Sequence, residues 1–184
     1  GLALRGEATQ AIALTGVELD RYDRVVGLRS KVISGVARLL PGEAIVGREL
    51  AADLGVRAGD RLTIQTGTVS DSVRVTALVD LGVRELNRRT VIVPLRSAQN
   101  LLGLPGGVTS LDLTVRDVWS AQTLAQDLRR QFPYKIESWQ ESNAQLVSAL
   151  NAQSVSTALI RGVVLIVVVL GIASVLVVSV VQKH

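Results

Sequence analysis

The sequence contains no cysteine and no methionine, a single histidine that is its last residue, and five aromatic side chains in 184 residues. The first absence rules out disulfides and thiolate metal sites. It leaves the compartment open, since extracytoplasmic domains without cysteine are ordinary. With His184 terminal, the rest of the chain has no imidazole to use as a base or a metal ligand. No zinc-binding spacing and no phosphate-cradling glycine loop occurs either. The few aromatics and a net charge of +4, with arginines interspersed among acids, argue against nucleic-acid binding, which needs a basic face with stacking platforms. No catalytic residue, cofactor or metal ion is therefore expected. The lack of any Met, with Gly1 at one end and His184 close behind an apolar run at the other, predicts flanking segments beyond both ends.

Aliphatic sequence is what the chain has in abundance. Residues 162–181, GVVLIVVVLGIASVLVVSVV, carry no charge, and fifteen of them are Leu, Ile or Val. As a helix rising about 1.5 Å per residue, such a run spans about 30 Å, the hydrocarbon thickness of a bilayer. At roughly −0.3 to −0.6 kcal/mol per residue, insertion is favourable by about 5 to 9 kcal/mol. Valine favours strands in water, but in lipid every backbone group must bond within the segment, which selects helix. A buried core helix is the competing reading, and the length counts against it. The run is predicted to be a transmembrane helix from Gly162 to Val181. Its small residues Gly162, Gly171, Ala173, Ser174 and Ser179 would let a second helix approach closely. Arg161 before the run and Lys183 after it leave orientation nearly undetermined by charge.

The preceding residues read as mixed α and β. Ala8 to Leu19 alternates like a strand, and Asp20 to Asp23 breaks it. Val25 to Leu40 is a mixed stretch with room for a short helix, closed by the turn signal Pro41-Gly42. Gly47 to Leu54 fits a helix capped by Gly55. Leu62 and Ile64 begin a strand after the Gly59-Asp60 turn. Ser70 to Leu81 continues as strand, with Val73, Val75, Ala77 and Val79 expected on one face. Thr90 to Val93 is a strand stopped by Pro94, Leu95 to Leu102 a helix ending at Gly103, and Ser110 to Val115 a strand. Asp117 caps a helix to Gln131, and Tyr134 to Glu137 is a short strand. Ser138 and Glu141 form a capping box for a further helix, with Trp139, Asn143, Leu146 and Leu150 along it. Nothing after Glu141 demands a stop, so one stiff rod from Ser138 into the membrane is expected.

Glu18, Asp20 and Asp23 could be read as paired carboxylates, but a polar turn is the simpler account. Arg88-Arg89 reads as a loop pair, with docking of an acidic partner as the alternative. Trp139 is expected to pack the start of its helix, with a binding hot spot as the alternative.

Three stretches carry a resemblance. Ala44 to Leu62 (AIVGRELAADLGVRAGDRL), Val91 to Leu102 (VIVPLRSAQNLL) and Glu137 to Leu150 (ESWQESNAQLVSAL), in this order and before a membrane helix, resemble the extracytoplasmic domain and second membrane helix of MacB/FtsX-type ABC transporter permeases, above all the lipoprotein-releasing, Lol-type members. The resemblance implies an α+β fold: a two-lobed extracytoplasmic domain, one lobe inserted in the other, followed by the transmembrane helix. Residues 1–55 and 105–137 would form a membrane-near lobe, 56–104 the inserted β-rich lobe, 138–161 a stalk helix and 162–181 the span. It implies a homo- or heterodimer of permeases in the inner membrane, with residues 1 to about 161 outside the cytoplasm and Lys183 and His184 inside. A cytosolic ABC ATPase would be bound, and its motion would be relayed to move lipoprotein or another amphiphile. The chain itself would not be an enzyme. The first, third and fourth membrane helices of the family are lacking, which agrees with a fragment. Two other classes stay open on the residues alone: a membrane-anchored binding or sensor domain, and a regulator of cell-wall hydrolases.

Overall fold

In the computed structural model, residues 1–144, 157, 160–165, 167 and 168 are described. The chain divides into two compact units, Gly1–Thr114 and a second beginning at Val115. The first unit is organised by a curled sheet of eight strands: β1 (Leu2–Arg5), β2 (Ala8–Ala11), β3 (Ala13–Val17), β4 (Val32–Gly35), β5 (Glu43–Gly47), β6 (Arg61–Thr66), β7 (Val69–Val79) and β8 (Thr90–Pro94). Their order is β2-β1-β6-β7-β5-β8-β3, with β4 also paired to β7. Strands β2 and β3 sit at opposite ends of this order, yet Ile12 alone separates them in sequence. Consecutive Cα atoms are about 3.8 Å apart, so the sheet must roll until its two ends meet.

Rolling gives the sheet an inner and an outer core. The inner one gathers Ala3, Ala44, Val46, Leu62, Ile64, Val73, Val75, Val91 and Val93 with residues of α2 (Arg48–Asp53) and α4 (Leu95–Leu102). The outer one holds Val17, Ile45, Ala77, Val79 and Ile92 with Leu28, which lies on a 3-10 turn, Leu28–Lys31, after α1 (Leu19–Val26). Strand β5 is buried at all five positions. That explains why its sequence is a continuous apolar run rather than an alternating one.

Strand β7 departs from the expected single face. Ala44 pairs with Val75 but the next residue, Ile45, pairs with Ala77. Thr76 is thus an extra residue, and such a bulge reverses which face each later residue meets. Val73 and Val75 therefore enter the inner core, while Ala77 and Val79 enter the outer one. The Thr76 hydroxyl donates to the Arg38 carbonyl at 2.7 Å, and lies 3.2 Å from the Ala44 carbonyl.

Other expectations hold or shift for local reasons. The helix Gly47 to Leu54 is found as α2, with Gly55 in the left-handed region at φ +63. Leu95 to Leu102 is α4, capped by Gly103. The stretch Asp20 to Asp23, read as a break, is inside α1, because Arg29 bridges Asp20 and Asp23 at 2.7 and 3.0 Å and pins that turn. Arg88-Arg89 is not a loop: both lie on α3 (Arg84–Arg89), ion-paired to Asp53 and Glu85. Strand β1 was not anticipated at all. Strands from 1–55 and from 56–104 share the one sheet within the first unit.

Ser110 to Val115, expected as a strand, pairs with none, and Leu111 and Leu113 are exposed. A strand pattern supplies side-chain alternation, but a strand exists only where a neighbour accepts its hydrogen bonds. Tyr134 to Glu137 is likewise irregular. In the second unit, Asp117 caps a 3-10 turn, Val118–Ser120, that leads into α5 (Ala121–Gln131).

Among the described residues no helix is long and apolar enough to cross a membrane. Most of the expected span at 162–181 lies outside them, as do Gly171, Ser174 and Val181. Gly162 is described, within a helical stretch at 160–165. Ile160, Val163, Val164, Leu165, Val167 and Val168 are all exposed there.

Candidate functional site: the capped start of the Ser138 helix

The expected stalk begins with a short helix, α6 (Trp139–Ser142), whose first residues are fixed by interactions within the second unit. Ser138 accepts from the Glu141 N–H through its hydroxyl at 3.3 Å, and the Glu141 carboxylate accepts from the Ser138 N–H at 3.4 Å. This is the reciprocal box read from the sequence, and it satisfies two of the donors a helix start leaves open. Ser138 is almost fully buried.

Trp139 and Gln140 bind the opposite side of the turn to the 3-10 segment. The Trp139 indole N–H donates to the Val118 carbonyl at 2.7 Å, and the Gln140 amide donates to Val118 and Trp119 carbonyls at 3.1 and 3.2 Å. The rings of Trp119 and Trp139 meet edge to face, 5.5 Å apart at 63°. Such a pair contributes about 0.5–1.5 kcal/mol beyond its buried area. Trp139 is thus engaged in packing its helix, the expected reading. Gln140 is buried and its Oε1 has no partner among the described residues.

Arg129, near the end of α5, closes the site. Its Nη1 donates to Glu141 Oε1 at 3.1 Å and its Nη2 to Glu141 Oε2, while Nε donates to the Ile136 carbonyl at 2.8 Å. This guanidinium holds the Glu141 carboxyl below the usual glutamate range. One arginine therefore ties α5, the irregular Tyr134–Glu137 stretch and α6 together. The sequence could not disclose this, because the partners lie seven and twelve residues away with no periodic relation. Trp119 and Gln140 were missed for the same reason.

The helix does not continue smoothly past its first turn. Asn143 has φ −119 and ψ 36, outside the helical region, and its side-chain amide donates to the Trp139 carbonyl at 2.9 Å. Asparagine competes in this way for backbone partners and so interrupts helices. Leu146 and Leu150, expected further along the stalk, lie outside the described residues. The arrangement is mechanical: buried contacts, carbonyls and one ion pair. Among the described residues no group of three His, Cys, Asp or Glu could hold a metal ion.

Along most of its length the chain is similar to transmembrane proteins of lipoprotein-releasing systems. It is 31% identical over 165 residues to the lipoprotein-releasing system transmembrane protein LolC of Xylella fastidiosa strain 9a5c, covering 82% of this chain. It is 30% identical, with the same coverage, to LolC of strain Temecula1. The chain spans 40% of the length of each relative. No family model matches it.

Proposed function

We propose that this chain is part of a permease subunit of an ABC transporter of the lipoprotein-releasing type. Its α/β region lies outside the cytoplasm and residues 162–181 cross the inner membrane. A cytosolic ATPase partner hydrolyses ATP, and the motion passes through the membrane helix and the 138–161 stalk to the outer region, where it moves lipoprotein or another amphiphile. A second permease, identical or different, completes the membrane part. The observation that carries this reading is the similarity, over 82% of the chain, to transmembrane proteins of lipoprotein-releasing systems.

The anchored start of α6 suits such a relay. A push along a helix does work on its surroundings only if the far end is held. Here the capping box contributes about 1 kcal/mol, the neutral hydrogen bonds about 1 kcal/mol each and the tryptophan pair a comparable amount. The box holds the helix start itself, while the hydrogen bonds and the tryptophan pair together give a few kcal/mol of resistance to pulling Trp139 off Val118. Asn143 marks the first place where the rod can bend.

The test is release of a lipoprotein from proteoliposomes holding the full-length protein with its ATPase. Expected is ATP-dependent release that is lost when Asn151→Pro breaks the stalk, while the outer region still folds. Full release by that variant contradicts the relay. Release that needs no ATP contradicts the transporter reading.

A further inference from the structure

Arginines crowd one carboxylate at the start of β5. Register sets Glu43 opposite Arg74 across β5 and β7, and Arg61 opposite Arg74 across β6 and β7. Directly opposed residues point to the same face of a sheet, so the three side chains stand side by side. Arg38 reaches the same place from the preceding loop. Its Nη2 donates to Glu43 Oε1 at 2.5 Å and its Nε to Oε2 at 3.1 Å, and the Leu40 N–H donates to Oε2 at 2.8 Å. Both oxygens of Glu43 are thus engaged. Arg61 and Arg74 have no ion-pair partner among the described residues. Three guanidinium groups against one carboxylate leave two positive charges unneutralised.

Like charges placed directly opposite on a sheet destabilise it, so this pairing costs the ligand-free protein stability. The same two groups, with the Ser72 hydroxyl on the same face, line a cleft of about 330 Å3 with Pro41, Gly42 and Glu43. Ser72 has no side-chain hydrogen bond among the described residues. The wall opposite is held in place: the turn from Leu40 to Glu43 closes with a 2.9 Å bond, Gly42 adopts φ +79, and its carbonyl accepts from the Arg74 N–H at 2.8 Å. Planar guanidinium donors match the oxygens of phosphate, and the cleft has the volume of a small ligand site.

We propose that this cleft binds a phosphate-class oxyanion between Arg61, Arg74 and Ser72, carried either on a phospholipid headgroup or on a free phosphate ester. The proposal is independent of the transporter reading. To test it, the detergent-solubilised full-length protein is titrated with inorganic phosphate in chloride buffer, with thermal stability and calorimetry as readouts. Saturable stabilisation is expected, because a ligand that binds only the folded state raises Tm. The double variant Arg61→Gln/Arg74→Gln should weaken binding at least tenfold. Without phosphate it should melt no lower than the unsubstituted protein, which separates lost binding from lost folding. Arg96→Gln, which removes an equal charge elsewhere on the surface, should bind as before. Micelles doped with phosphatidylglycerol then displace phosphate if the headgroup is the ligand, and fail to do so if a free ester is. No saturable response, or an equal response in the double variant, overturns the proposal.

Discussion

Replacing Gly47 with alanine tests how the first unit is held together. Gly47 ends β5 and has φ −66 and ψ 143, a conformation open to any residue, so backbone freedom does not require glycine here. Space does. A Cβ at this position would lie 2.1 Å from the Asn87 carbonyl oxygen and 2.8 Å from its carbonyl carbon and Cα, all backbone atoms. Asn87 has no room to yield. It is 1% exposed, its Oδ1 accepts from the Leu81 N–H at 2.8 Å, and its Nδ2 donates to Asp80 Oδ1 at 2.8 Å. Relieving the overlap means moving α3 off β5. Forced overpacking costs about 1–3 kcal/mol, and each strained hydrogen bond adds about 1 kcal/mol. The lower entropy of the unfolded alanine chain offsets about 0.4–1 kcal/mol. The net expectation for Gly47→Ala is a loss of about 2–4 kcal/mol, a large part of the roughly 5–15 kcal/mol of a typical domain. Urea unfolding of the solubilised protein, followed by far-ultraviolet circular dichroism, should show a lowered midpoint at unchanged slope. A midpoint equal to or above that of the parent refutes the close approach of α3 and β5.

Three further expectations follow from single contacts. Gly16→Ala would set its Cβ 2.2 Å from the Ala98 Cβ, so it should destabilise by about 1–3 kcal/mol, and adding Ala98→Gly should recover part of that loss in a double-mutant cycle. Trp139→Phe keeps an aromatic ring but removes the indole donor to Val118, whose carbonyl retains the Gln140 amide, so thermal unfolding of the second unit should register a loss of about 0.5–1.5 kcal/mol. Glu43 is held below its ordinary value of 4.5, chiefly by the Arg38 guanidinium. Its folded pKa is thus lower than its unfolded one, so its stabilisation is complete above the ordinary value and is lost as pH falls below that value and through the lower folded one. Glu43→Gln should flatten the stability–pH curve in that acid window and leave the slope near neutrality unchanged; an unaltered acid slope contradicts the assignment.

What was legible in the sequence was what local chemistry decides. Gly55 and Gly103 announced the ends of α2 and α4, and Ser138 with Glu141 announced the cap of α6. The alternation of Leu62 with Ile64 and the alternation along β7 gave strands in the right places. What could not be read depends on partners far away. The bulge at Thr76 is defined by the register with β5, and without it Ala77 and Val79 would continue the face of Val73. Leu111 and Leu113 alternate as a strand does, but no neighbouring strand completes them. Arg129 looks like any surface arginine on α5 until the chain returns at Ile136 and Glu141. The Arg61–Arg74 juxtaposition is equally silent in sequence, since twelve residues and a hairpin separate them.

The central claim is that the α/β region faces away from the cytoplasm and that residues 162–181 cross the membrane. These 184 residues contain no cysteine, and any cysteine elsewhere in the full-length protein is first replaced by serine. Single cysteines are introduced at Tyr134, which is exposed, and at Lys183 of the full-length protein, and intact spheroplasts are treated with a membrane-impermeant maleimide. The account predicts labelling of Tyr134→Cys in intact spheroplasts and of Lys183→Cys only after the membrane is permeabilised. Labelling of both positions from the same side contradicts it.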